Sequence, residues 1–283
     1  MKYRHDILAV IVLYKQQLSQ SSTFISLSKS LITNNITCDL FVYDNSPGSG
    51  ENQTDQHYNN WNITYYADIL NGGVSKAYNK AAEVGYKAGK KWILLLDQDT
   101  NFPVQTIDKY LSAIDTYPGE KLFAPKMLTD TGKIISPCVF KYMRGFPSVD
   151  IKAGINSFTD ISVINCGMCV DIASLRENGG YNEQIKLDFS DHDFIRRFNK
   201  NITNNFVVID LAVNHGLSSE TKNSFLSDLN RFDFYLDGLI NVTANRLEKL
   251  FLFINALIRA IKLCLTHQSF DFLKKTLKQY FKK

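Results

Sequence analysis

Two groups of carboxylates in this sequence have the spacing to do chemistry. The first, Asp97-Gln98-Asp99, follows directly on the apolar run 92–96. Acids one residue apart at the end of a buried strand can offer hard oxygen ligands to a divalent cation such as Mn2+ or Mg2+. The same pattern also makes an Asp-rich turn. The second group, Asp188, Asp191 and Asp193, opens a helical stretch. Acids there are good caps, and one of them set in a cleft would serve instead as a general base. Asp44 closes another apolar run, placed either to accept hydrogen bonds from a ribose or base or to cap a turn. Asn71-Gly72-Gly73 opens a helix, where backbone amides can approach phosphate. His215 follows a strand beside Gly216 and is either a structural histidine or, through a neutral imidazole, a metal ligand.

These residues need a scaffold, and the hydrophobic pattern supplies one. Residues 7–13, 39–44, 62–66 and 92–97 read as strands, with helical spacing over 21–34 and 72–87 between them. Strands alternating with helices predict βαβ units and a mainly parallel sheet. In such a sheet ligands bind outside the carboxyl ends of the strands, where Asp44 and Asp97 fall. From Phe102 the pattern changes: a helix over 104–117, a hairpin around 130–133, a loop-rich span 136–158, a strand at 161–165, a short helix near 172–177 and a last strand at 206–211. No Gly-x-Gly-x-x-Gly fingerprint and no Walker sequence occurs, which sets aside NAD enzymes and P-loop ATPases.

Taken together, strand-terminal Asp44, the segment Asn71-Gly-Gly-Val-Ser-Lys-Ala-Tyr-Asn79, and Leu-Leu-Asp97-Gln-Asp99 resemble the inverting family-two glycosyltransferases of the GT-A fold. Within them they look most like the bacterial rhamnosyltransferase-type enzymes of O-antigen and capsule synthesis. Two further segments agree: Gly179-Gly-Tyr-Asn-Glu183 is similar to a characteristic turn of that family, and Ser190-Asp-His-Asp-Phe-Ile-Arg-Arg197 matches its second acidic motif, with Ser190 where a glutamate is usual. The resemblance covers about the first 220 residues. It implies a Rossmann-like α/β nucleotide-sugar domain in which Asp44, Asn71, Gly72, Gly73, Asn79, Asp97 and Gln98 line the donor pocket. Asp99, with His215, would hold Mn2+ or Mg2+ against the donor diphosphate. Asp191 falls on the general base, while Cys166, Gly167 and Asp193 lie on the acceptor side. The reaction implied moves a sugar from dTDP-rhamnose or a UDP-hexose to a lipid-linked, polyprenyl diphosphate glycan. A nucleotidyltransferase is the nearest rival enzyme, but residues 12–15 lack its basic glycine-rich phosphate loop. A non-catalytic sugar-binding or scaffold module is the rival of another class.

The net charge of +4 hides an asymmetry. Residues 246–283 carry nine Lys/Arg and two acids, a net of +7, so the remainder carries −3. The division expected is a glycosyltransferase domain over 1–220, with a nucleotide half to 100 and an acceptor half after it, and a basic helical region over 221–283. Leu247, Leu250, Ile254, Ile258, Ile261 and Leu265 repeat at helical spacing, with lysines off that face around 274–282. Such basic amphipathic helices lie in a membrane interface; packing on the body or on a second copy of the chain is the alternative. The longest charge-free apolar stretch, 250–258, is short for a bilayer span. The basic start before 7–13 imitates a signal peptide, but no cleavage site follows and a first strand is the reading. Five cysteines form no disulfide framework, and the sequons at Asn35, Asn52, Asn62, Asn201 and Asn241 carry little weight. The place expected is therefore the cytoplasmic face of the cell membrane, held peripherally, with no nucleic-acid role.

Overall fold

The computed structural model describes residues 2–48, 56–58, 60–148, 151–215 and 224–281. Gly216, the sequon at Asn52 and Lys282 lie outside the described residues. In chain order the elements are β1 (Lys2–Leu13), α1 (Ser22–Thr33), β2 (Ile36–Asp44), β3 (Gln56–Tyr58), β4 (Trp61–Ala67), α2 (Gly73–Lys87), β5 (Trp92–Asp97) and α3 (Thr106–Thr116). Then come β6 (Leu122–Leu128), β7 (Ile134–Lys141), β8 (Arg144–Ser148), β9 (Gly154–Ser157), β10 (Ile161–Ser162), β11 (Cys169–Asp171), α4 (Ile172–Glu177), α5 (Ser190–Asn201) and β12 (Asn205–Asn214). Three helices close the chain: α6 (Phe225–Asn241), α7 (Arg246–His267) and α8 (Asp271–Tyr280).

One sheet runs through the body in the order β10-β7-β6-β11-β5-β1-β2-β4-β3, with β12 beside β6. Its left half is parallel: β1 pairs with β2 and β5, and β2 with β4. The register aligns their carboxyl ends, because Leu13 faces Asp44, Asp44 faces Ala67 and Val12 faces Asp97. Strand alternation then builds two layers. Ala9, Ile11, Leu94 and Leu96 pack under α1 and α3, whereas Leu8, Val10, Ile93 and Leu95 pack with Ala77, Ala81, Ile172 and Phe194 on the other face. Near-continuous apolar strands follow from burial on both faces. The fold is mixed α/β with a mainly parallel central sheet, as expected.

Three differences from the sequence reading have local causes. The span 136–158, expected as loop, holds β7, β8 and β9. Pro137, Gly145 and Pro147 hide strands that pair antiparallel with β6, β12 and one another at the sheet's irregular end, where proline is tolerated. The strand expected over 161–165 contracts to two residues, because Ile164 and Asn165 turn into the cleft. Helix α6 falls in the helical region expected over 221–283, but its own bounds and packing are not given by the sequence pattern. It joins a third core in which Phe232, Leu236 and Leu239 meet Leu252, Ala256, Ala260 and Phe272, together with Met143 and Ile185 of the body. The C-terminal helices are thus packed on the body through shared side chains.

The five cysteines are free thiols, four of them buried. Burial pushes Cys38 and Cys138 up to about 12 and raises Cys166 and Cys169 as well, which keeps all four as thiols at neutral pH.

Candidate functional site

The carboxyl ends of β1, β2, β4 and β5 lie along one edge of the sheet, where of these strands only β5, through Asp97, lines the cavity. At β2, Asp44 is buried, and both its oxygens are engaged: Oδ1 accepts the Ser46 N–H at 2.8 Å and Oδ2 accepts the Tyr65 hydroxyl. At β5, Gln98 clamps the end of β1, with Oε1 accepting the Tyr14 N–H at 2.8 Å, while its backbone oxygen receives the Ser21 hydroxyl. Thr23 donates to the Asp97 carbonyl at 2.6 Å. Asp44 and Gln98 therefore organise the loops around the pocket.

The glycines before α2 have a steric reason. Asn71 and Gly73 both take positive φ, at 50° and 87°, and a Cβ on Gly73 would lie 2.3 Å from the Lys186 oxygen. The first amides of α2 are consumed within the chain: Gly72 donates to Asp68, Gly73 to Asn45 Oδ1 and Val74 to the Lys186 carbonyl. The glycines let α2 approach the 185–187 segment, and the amides of residues 72–74 are spent in holding it there. Asn79, one helical turn further on, bonds the Tyr181 backbone through both its amide atoms and reaches Glu183 at 2.9 Å. Gly180 makes room for it, since a Cβ there would meet Asn79 Oδ1 at 2.6 Å.

Asp68 is a residue the sequence reading passed over. It follows β4 as Asp44 follows β2, and its buried carboxylate accepts from the Tyr43 hydroxyl, the Leu70 and Gly72 amides and the Lys76 ammonium. Burial alone would raise its pKa; the Tyr43 and Lys76 bonds outweigh that and hold it at about 2. A depressed carboxyl stabilises the folded state above its unfolded pKa near 3.8 and loses that contribution as pH falls toward 2. The expected result is a drop in unfolding midpoint between about pH 4 and pH 2 that is smaller in Asp68→Asn. Parallel acid limbs in the two proteins, measured by denaturant titration, would count against it.

The chemical centre lies where β5 meets α5 across the cleft. Asp97, Asn165, Cys166, Asp188, Asp191 and His215 line one cavity of about 310 Å³. Burial pushes the Asp97 carboxyl up to about 6; His215 opposes this, and the charges of Asp99 and Asp191 add to it. Tyr78 is fully buried in the same cleft, close enough to favour ionised Asp97 but with its hydroxyl lacking a hydrogen-bond partner among the described residues. Perturbed acids converging in a cleft mark a functional site. His215 is brought here by a single bridge between Asn214, at the end of β12, and Asn101. Its Nδ1 hydrogen-bonds Thr100 Oγ1 at 2.7 Å, and Thr100 also meets Cys166 Sγ at 3.1 Å. That leaves Nε2 of His215 as the nitrogen able to bind a metal. Asp99 is exposed beside the cleft. Among the described residues no three His, Cys, Asp or Glu side chains form a metal-holding group.

Across the cleft, Asn165 is buried, donating to Ser190 Oγ at 3.0 Å and accepting from the Tyr181 hydroxyl at 2.8 Å. Gly167 takes φ 80° against Pro125, and its carbonyl accepts from Tyr110. Cys166 reaches the cavity wall. The two acids of the second motif separate sharply. Asp191 lines the cavity with 19% of its side chain exposed, Oδ1 accepting the His192 N–H at 2.7 Å. Asp193 is 1% exposed and points away, accepting from Arg197 Nε at 2.9 Å and from the Thr243 N–H at 3.0 Å. It joins α5 to the segment between α6 and α7. Two cavity-lining residues that the sequence reading did not single out, Arg231 and Tyr235, come from α6. Their signal was an amphipathic run over 225–241.

No protein-family model matches this chain, and no curated protein does. Solved structures do. TarS of S. aureus, residues 1–349 in complex with UDP-GlcNAc, superposes with a TM-score of 0.54 at 16% identity, over 90% of this chain and 72% of that one. The same fragment with UDP gives a TM-score of 0.53 over 90% and 71%. GalNAc-T7 with UDP, GalNAc and Mn2+ gives 0.59 at 11% identity, over 96% of this chain and 56% of that one. At these identities the likeness establishes architecture: this chain has the mixed α/β fold of the GT-A glycosyltransferases.

Proposed function

We propose that the protein is a metal-dependent, inverting glycosyltransferase that moves a sugar from a nucleotide-sugar donor to a lipid-linked glycan. The observation that carries this reading is the single cleft in which Asp97, at the end of β5, faces Asp191, at the start of α5. The neighbours of like fold hold UDP, UDP-GlcNAc, or UDP with Mn2+. In this chain Asp191 would take the proton of the acceptor hydroxyl at its Oδ2, since Oδ1 is engaged by the His192 amide. Attack from that side inverts the anomeric centre.

The donor set suits Mn2+ or Mg2+. Asp99 would supply a hard oxygen and His215 a nitrogen, and a cation nearby would favour the charged form of Asp97 that burial disfavours. When bound, the ion would neutralise charge on the departing diphosphate. dTDP-rhamnose and UDP-hexoses are the donors proposed, and cell-surface polysaccharide of the O-antigen or capsule kind the product. Calorimetric titration with these nucleotide sugars, with and without Mn2+, tests the reading. Binding of one donor that strengthens with Mn2+, and release of nucleoside diphosphate when acceptor is added, is expected. Release of pyrophosphate would point to a nucleotidyltransferase, and no binding of any nucleotide sugar would sink the proposal.

The membrane surface is the proposed location. Helix α7 is long and apolar enough to cross a bilayer by length and composition, with a mean hydropathy of 1.6 over its best window. Its polar ties to the body favour lying along the surface instead. Glu248 binds Arg196 at 2.6 Å, and Asn255 donates to the Tyr142 carbonyl at 2.9 Å. The opposite face leaves Leu247, Leu250, Ile254, Ile258, Ile261 and Leu265 exposed. That is a stripe of one hydrophobic face held outward, as in an interfacial helix. Co-sedimentation with anionic vesicles should be lost in Ile258→Glu/Leu265→Glu. Retention of binding in that double variant would remove the stripe as anchor.

A further inference from the structure

The second acidic motif places a histidine directly after Asp191, and histidine is the side chain most often used as a general base. His192 lines the cavity together with Asp191, so the motif brings two candidate bases to the cleft. The surroundings of the ring decide between them. Its Nδ1 lies 2.7 Å from Ser162 Oγ, and Ser162 is 1% exposed. Among the described residues that hydroxyl has no other hydrogen-bond partner, and a buried hydroxyl uses its proton. Ser162 therefore donates and Nδ1 accepts, which puts the ring proton of a neutral His192 on Nε2.

Nε2 in turn lies 4.0 Å from Asp191 Oδ1, the oxygen that already accepts the His192 backbone N–H at 2.7 Å. That distance is too long for a hydrogen bond, and the ring N–H acts on the oxygen through its dipole. The ring is wedged in place. Phe140 of β7 lies against it with centroids 4.6 Å apart, and β8 comes so near that a Cβ on Gly145 would stand 3.5 Å from Nε2. With Ser162 on β10, three strands of the irregular end of the sheet hold one imidazole. We infer that His192 is the positioning residue for Asp191: it takes no proton itself, and its two N–H groups mark Oδ1 so that Oδ2 is left to face the acceptor. Its Nδ1 lone pair is engaged by Ser162 and its Nε2 carries a proton, so the neutral ring has no free site for another. In the step it serves, the acceptor oxygen bonds the anomeric carbon, its proton goes to Asp191 Oδ2, and the diphosphate leaves with the electron pair of the broken bond. Oδ1 is then the carbonyl oxygen that still accepts from His192. This role rests on the sugar-transfer reading of Asp191; the tautomer does not.

The test uses the full-length chain. In metal-free buffer, proton–nitrogen correlation spectra of the histidine rings read the tautomer, with His192→Gln identifying the His192 signals by their loss. A neutral ring protonated at Nε2 is expected, mixed with the Nδ1–H form in Ser162→Ala. Initial rates of nucleoside diphosphate release from UDP-GlcNAc and from dTDP-rhamnose, with Mn2+ and with water as acceptor, read the role. His192→Phe keeps a ring against Phe140 and should lower kcat about tenfold with the donor KM unchanged, the mark of an interaction made in the transition state. His192→Gln carries an N–H near the place of Nε2 and should recover most of that loss. If His192→Phe fails to fold, Ser162→Ala replaces it, with a smaller loss in kcat alone. A neutral ring protonated at Nδ1 would overturn the inference, because Nε2 would then be a free base in the cleft. An unchanged kcat in His192→Phe beside a lost one in Asp191→Asn would also overturn it, and would leave the sugar-transfer reading standing. An Nε2–H ring in a chain that releases nucleoside diphosphate from neither donor brings down that reading, and the role of His192 with it.

Discussion

Asp191→Asn is expected to fold, to bind donor nucleotide as the unaltered chain does, and to transfer sugar about 10²–10⁴-fold more slowly, the contribution of a positioned general base. The expectation of a sound fold comes from the side chain's one internal bond. Oδ1 accepts the His192 amide at 2.7 Å, and the asparagine oxygen accepts it equally well. What the substitution removes is the second oxygen's ability to take a proton inside the cleft that also holds Asp97. Initial rates of nucleoside diphosphate release, beside calorimetric binding of the donor, separate the two effects. A kcat within a few-fold of the unaltered enzyme would remove Asp191 as the base.

Asp193→Ala, two residues away, should do the reverse and cost about 3–5 kcal/mol of stability, the range for one partner deleted from a buried pair. Asp193 is 1% exposed and satisfies two groups at once, Arg197 Nε and the Thr243 N–H. Alanine leaves a buried backbone donor with no acceptor and a guanidinium whose Nη2 already lacks a partner among the described residues. Because Thr243 sits between α6 and α7, the loss should loosen the C-terminal helices from the body. Asp193→Asn keeps an acceptor for Thr243 and should lose less. Urea denaturation of the three proteins checks the order, and a midpoint for Asp193→Ala equal to the unaltered value would refute it. The pair separates the roles of two acids that stand two residues apart on one helix.

Much of the parallel half was legible because it depends on local and period-two patterns. Residues 92–97 read as β5 because a short apolar run of strand length, opened by lysines and closed by turn-formers, suits a strand covered on both faces. Asp44 and Asp97 could be placed at one edge because parallel strands share their direction. The irregular half was harder to read. Strands β7, β8 and β9 pair antiparallel, with register shifts at β7, and carry two prolines, so no alternation survives in the sequence. Helix α6 has an ordinary amphipathic pattern, but nothing local says that its polar face supplies Arg231 to the cavity.

The sequence by itself determined the sheet that carries the acids, the strand ends where they lie and the motif that contains Asp191, because each depends on residues adjacent in the chain. Only the tertiary structure decided what those residues touch. It spent the amides of residues 72–74 on Asp68, Asn45 and Lys186, sent Asp193 into the interior while Asp191 stayed in the cleft, and brought His215 to Thr100 through one bridge at the end of β12. It also lined the cleft with Arg231 and Tyr235 of α6. Those outcomes turn on pairings across a hundred residues or more of chain, where packing space and the need to satisfy every buried polar group choose the partner.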